Sequence, residues 1–70
     1  MSTIGKNIKR LRQVKGISQD KLSKLADVSL QTIVKMELDD KPNPTIETVQ
    51  KIAKALDISI DDLMKGFVNV

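Results

Sequence analysis

The chain has 70 residues, 12 of them lysine or arginine against 9 aspartate or glutamate, for a formal charge of +3, and 40% are hydrophobic. That describes one small domain in which nearly every apolar side chain has to pack, because a chain this short buries only ~60% of its unfolded surface. With no cysteine, no histidine and a single aromatic residue, Phe67, it lacks disulfides, ordinary zinc sites, an imidazole base and the stacked-base platforms of single-strand binders.

No apolar run approaches the ~20 residues of a membrane span, and the N-terminus shows no secretory h-region, so the expectation is a soluble intracellular protein without a membrane partner.

Apolar residues recur at intervals of three and four instead of alternating, which predicts helices throughout. In the first, Ile4, Ile8, Leu11 and Val14 form one stripe, and Gly16 is a left-handed stop. Ser18 caps a second helix whose inward residues are Leu22, Leu25 and Ala26. Asp27-Val28-Ser29 interrupts the pattern, and Ser29 caps a third helix that ends near Leu38, before the turn chemistry of Asp39-Asp40-Lys41-Pro42-Asn43-Pro44. Thr45 caps a fourth, with Ile46, Val49, Ile52, Ala53 and Leu56 inward and Glu47 well placed in the first turn. Ser59 caps a short fifth helix with Asp61 and Asp62 in its first turn and Gly66 as its stop. Met36 and Met64 are assigned to the core. No internal repeat stands out, and residues 1–66 form the domain, with Phe67-Val68-Asn69-Val70 as an apolar tail.

Charge divides along the chain. Residues 1–35 hold eight cations and two acids, a balance of +6, and residues 36–70 hold four cations and seven acids, a balance of −3. A basic face points to a polyanion, nucleic acid before an acidic membrane, unless the lysines only keep a small domain in solution. Adjacent pairs such as Asp39/Asp40 and Asp61/Asp62 suit turns and first helical turns, because neighbours on a helix point ~100° apart. They are expected to serve those roles rather than an acid–base or metal site, and no enzyme, cofactor or metal is expected.

The second and third helices are joined by three residues, the connection of a helix-turn-helix unit, and Leu22, Ala26, Val28, Ile33 and Met36 sit where such a unit must be apolar. The stretch from Ile17 through Gln19-Asp20-Lys21-Leu22, Asp27-Val28-Ser29 and Leu30-Gln31-Thr32-Ile33 to Glu37 resembles the helix-turn-helix domain of phage repressors and Cro proteins, the XRE type. Leu11-Arg12 and Gly16 before the unit, and Asn43-Pro44-Thr45 and Ala55-Leu56-Asp57-Ile58-Ser59 after it, agree with the resemblance, which covers about residues 4–65.

The resemblance implies an all-α, five-helix, lambda-repressor-like domain that reads double-stranded DNA with its third helix, as a homodimer on a two-fold operator, in the cytosol and nucleoid of a bacterium or phage host. No small-molecule ligand is expected. By position, Gln19 grips a phosphate and braces the recognition helix. Leu30, Gln31, Thr32 and Lys35 face the major groove, where Gln31 suits adenine, Lys35 suits guanine or phosphate, and Thr32 suits phosphate or a thymine methyl. Lys9 or Arg10 touches the DNA backbone, and the loop after the third helix, with Lys41 and Asn43, carries phosphate contacts. Arg12 and Glu37 form a structural pair tying the first helix to the end of the third.

Three positions depart from the family pattern. Asp27 replaces the usual turn glycine, Ser23 replaces a small alanine, and Asp39 replaces a glycine in a loop one residue longer, whose acids oppose phosphate.

Leu30, Val34 and Leu38 make an i, i+4, i+8 stripe off the Ile33/Met36 core line. It either pads the core edge, docks a protein or second copy, or lets Leu30 pack on a thymine methyl. Phe67 and Val68 are a packing tail or, with Leu38, an interface. The leading expectation is a sequence-specific DNA-binding transcriptional regulator acting as a repressor. The alternative is a protein-interaction module, such as an antitoxin or co-regulator partner, on the same fold.

Overall fold

Three of the joints between helices are the same device built from three residues. In Gly16-Ile17-Ser18, Asp27-Val28-Ser29 and Asp57-Ile58-Ser59 the first residue is left-handed, with φ of 71°, 58° and 60°. Its N–H donates three residues back, to Gln13, Lys24 and Lys54 respectively. The next N–H reaches five residues back, to Arg12, Ser23 and Ala53, which together satisfy the orphan carbonyls of a helix end. The apolar middle residue then packs on the core. The serine hydroxyl accepts from the N–H of Lys21, Thr32 or Asp62, opening the next helix.

The computed structural model describes residues 4–39 and 44–65. They form α1 (Ile4–Lys15), α2 (Gln19–Ala26), α3 (Leu30–Leu38), α4 (Ile46–Ala55) and α5 (Ile60–Lys65), with no strand among the described residues. The fold is all-α with five helices, as the periodicity predicts. Thr45 caps α4 through the N–H of Thr48. The expected stop at Gly66, the domain boundary after it, the tail, and the turn residues Asp40, Lys41, Pro42 and Asn43 lie outside the described residues.

The core takes Ile8 from α1, Leu22 from α2, Ile33 from α3, Ile52 from α4 with Leu56 just beyond it, and Leu63 from α5, all fully buried. Each contributes ~1.5–3 kcal/mol by leaving water. α3 packs on α1 and α2, α4 backs α2, and α5 braces α1 and α4.

Four apolar residues assigned inward lie outside: Val14, Leu25, Ile46 and Met64, each more than half exposed. At about 100° per residue, Val14 stands ~80° round from Ile4, and Leu25 ~100° from Ala26. Ile46 opens α4 about 90° from the middle of the Val49–Ile52 face, and Met64 is the outward neighbour of buried Leu63.

Small or polar residues take the inward positions instead. Ser23 is buried, and its hydroxyl donates to the Asp20 carbonyl at 2.7 Å, the back-bond that lets a hydroxyl sit at a helix contact. Asn7 is fully buried on α1, and its amide nitrogen donates to the Leu63 carbonyl at 2.6 Å, tying α1 to α5. Gly5 lies directly against the backbone of α3, where any Cβ would run into the Met36 carbonyl oxygen.

Candidate nucleic-acid interface

The start of α3 is bare. Ser29 holds an extended backbone, with φ −72° and ψ 152°, and its hydroxyl accepts the Thr32 N–H at 3.1 Å. It also shares a hydrogen bond with the Thr32 hydroxyl at 2.8 Å. This short cap fixes the first turn without side chains from other elements, so the turn stays open to solvent. Gln31 and Lys35 are exposed, Thr32 and Val34 are half-buried, and Leu30 is 41% exposed.

Ile33 and Met36 are buried on the opposite side, against α1 and α2. On a helical wheel Gln31, Lys35 and Leu38 point straight away from them, with Leu30 and Val34 along one flank and Thr32 on the other. Leu30, Gln31, Val34, Lys35 and Leu38 line one open cleft of about 470 Å³. Leu38, at the far end of the helix, is 79% exposed. The stripe does not pad the core.

What aims α3 is a polar cluster at its other end. Glu37 receives Arg12 through Nε at 2.9 Å and Nη2 at 3.1 Å, a bidentate pair almost closed to solvent. Glu37 Oε1 also accepts from Gln19 Nε2 at 3.0 Å, and Arg12 Nη1 donates to the Ile17 carbonyl at 3.0 Å. One carboxylate therefore joins α1, α2 and α3. Gln19 is half-buried at the start of α2 and donates one of its two amide protons to Glu37.

Lys9 and Arg10 are exposed on α1, while Lys41, Asn43, Phe67 and Val68 fall outside the described residues. Asp39 follows α3, its N–H donating to the Lys35 carbonyl.

Gly5 sets how closely α1 approaches the end of α3, a role its hydrophobic pattern does not reveal. The available signal was a glycine inside a helix, three residues before Ile8 on the inward side, at a cost of ~1 kcal/mol relative to alanine.

Two helices joined by three residues, with the second bared at its opening turn inside a five-helix bundle, define a helix-turn-helix domain. The chain belongs to that family: the pattern described as Helix-turn-helix matches residues 8–63, the phage repressor and Cro-like, XRE-type group. It is 33% identical over 61 residues to the HTH-type transcriptional regulator SinR of Bacillus subtilis, covering 87% of this chain and 55% of SinR. The chain thus spans about half the length of that curated relative.

Among solved structures, the master regulator for biofilm formation SinR in complex with DNA superposes with a TM-score of 0.81 at 33% identity, covering 86% of this chain and 95% of that one. The P22 c2 repressor in complex with a synthetic operator gives 0.83 at 32% identity, covering 94% and 98%. The chain is homologous to helix-turn-helix transcriptional regulators and shares the lambda-repressor-like fold.

Proposed function

We propose that this chain is a sequence-specific double-stranded DNA-binding regulator of transcription, acting as a repressor and binding a two-fold operator as a homodimer. The observation that carries the reading is the uncovered opening turn of α3, with Gln31 and Lys35 on its outermost line. Such a turn reaches base edges in a major groove while its flanks hold the backbone. Gln31 pairs with adenine through two hydrogen bonds, and Lys35 donates to guanine O6/N7 or to phosphate.

Gln19 supplies a phosphate contact from α2, and Lys9 or Arg10 one from α1. Lys41 and Asn43 are proposed as further backbone contacts from the loop. The DNA complexes of SinR and the P22 c2 repressor support the same use of this fold here. One recognition helix reads only a few base pairs, so a second copy about one DNA turn away, ~34 Å, supplies the remaining specificity. Leu38, Phe67 and Val68 are the candidate contacts between copies. The working place of such a regulator is the cytosol, at the nucleoid.

Selection of bound duplexes from a random library tests the reading. It expects a shared two-fold motif and an affinity that falls steeply with salt as counterions are released. Enrichment of no motif at low salt, with binding indifferent to Lys35→Glu, would leave a protein-interaction module instead.

A further inference from the structure

A second open groove runs between the C-terminal halves of α2 and α4. Leu25, Ala26, Asp27, Lys51, Lys54 and Ala55 line it, around a volume of about 460 Å³. Its floor is apolar, with Leu25 54% exposed and Ala55 half-buried across from it. None of these residues is among the proposed DNA contacts.

Two lysines stand over that floor. Residues 36–70 carry a balance of −3, yet Lys51 and Lys54 share one side of α4, ~60° apart round the helix. Lys54 is exposed and forms no ion pair among the described residues. Lys51 has a 3.8 Å contact to Glu47, one turn back on its own helix and largely in solvent. Such a pairing is weak, and a better placed carboxylate can replace it. The lining holds a single acid, Asp27.

We propose that this groove docks a short acidic, amphipathic helix of a partner protein. Its apolar side chains rest on Leu25 and Ala55, and its carboxylates meet Lys51 and Lys54. Complementary charge and an apolar floor select this occupant together. A phosphate backbone would meet the lysines but leave the exposed leucine unused, and Asp27 would oppose it. A small molecule would keep much of its surface in water between two helix walls, whereas ligand pockets bury roughly 70–90% of theirs. A guest helix presents residues at i, i+3, i+4 and i+7 to a groove. The 8 residues of α2 give a wall ~12 Å long, enough for about two turns of guest. Partner and duplex therefore bind at the same time.

The test is selection on the full chain from a phage-displayed library of peptides of about 16 residues, each pool counter-selected on Lys54→Glu. Enrichment of aspartate and glutamate flanking apolar residues at helical spacing is expected. A synthetic peptide of the enriched sequence should bind Lys54→Glu ~5-fold or more weakly, since an attraction becomes a like-charge contact. Leu25→Ser should weaken it as well, by removing the apolar floor. Both positions are exposed, and unchanged urea midpoints confirm that the variants fold. Amide shifts in nuclear magnetic resonance spectra should centre on Leu25, Asp27 and Lys54, and saturation with DNA should leave the peptide affinity unchanged.

Enrichment of no acidic sequence, or a peptide that binds Lys54→Glu as tightly as the parent, overturns the proposal. So does a peptide that DNA displaces and that shifts Leu30 and Lys35 instead, because it would then occupy α3. If the Leu25 and Lys54 signals move with protein concentration alone, the groove is a contact between copies and the partner is excluded. The peptide measurements need no operator, so their outcome is separate from that of the DNA-binding reading.

Discussion

Arg12 and Glu37, 25 residues apart in sequence, meet in a bidentate ion pair at 2.9 and 3.1 Å, with Gln19 sharing the same carboxylate. The side chains are 12% and 4% exposed, so water cannot replace a lost partner well. Arg12→Ala should therefore destabilise the domain by ~3–5 kcal/mol, the cost of stranding a buried charge. Arg12→Lys should recover only part of that, because an ammonium cannot reproduce the two-nitrogen grip. Urea denaturation measures both. A change below ~1 kcal/mol for Arg12→Ala would place the pair among surface ion pairs.

Gly5 offers a sharper test of how α3 is positioned. In an isolated helix Gly→Ala stabilises by ~1 kcal/mol. Here the added carbon collides with the Met36 carbonyl, and Glu37 Cα lies 3.1 Å from the same point. Both are backbone atoms that no rotamer change can move. Gly5→Ala should lose ~1–3 kcal/mol net through overpacking and shift α1 away from the end of α3. A variant at least as stable as the parent in urea would contradict this packing.

The helix boundaries were legible because capping is local: Ser18, Ser29, Thr45 and Ser59 each announce a start by a hydroxyl placed before an apolar period. The helix-turn-helix unit was legible for the same reason, its short joint and apolar positions all lying within about 20 residues. The inward faces of short helices were harder to read. Hydrophobicity alone placed Leu25 and Ile46 in the core and overlooked Asn7 and Gly5, since on helices of 8 to 12 residues a single step changes which residue meets a neighbour. Gly5 and Asn7 are dictated by what α3 and α5 bring against them, which lies 31 and 56 residues away. The repeated joint also escaped notice, because Gly16 and the two aspartates share a backbone conformation but not a side chain.

That joint predicts how its first position responds to substitution. Asp57 is exposed and left-handed at φ 60°. A β-branched side chain is poorly tolerated there, so Asp57→Val should cost ~1–2 kcal/mol. Asp57→Gly, which copies the residue used at Gly16, should stay within ~1 kcal/mol of the parent, because relief of the left-handed strain is offset by greater freedom of the unfolded chain. Thermal melts of the two variants decide the point. Equal melting temperatures would mean the conformation at residue 57 carries no strain worth counting.

Gln31 and Lys35 stand side by side on the outer line of α3, yet their expected contributions differ in kind. An amide that pairs with adenine discriminates between bases, so Gln31→Ala should cost ~1–3 kcal/mol on the preferred duplex and flatten preference at one position. If Lys35 binds phosphate, Lys35→Ala should weaken all duplexes alike and lower the magnitude of the salt slope by about one. If it instead reads guanine, the loss should fall on one base pair. Titrations of the selected and scrambled duplexes across a salt series separate these cases. Equal losses on both duplexes for Gln31→Ala would take Gln31 out of the groove, and with it the orientation of α3 on which the base reading depends.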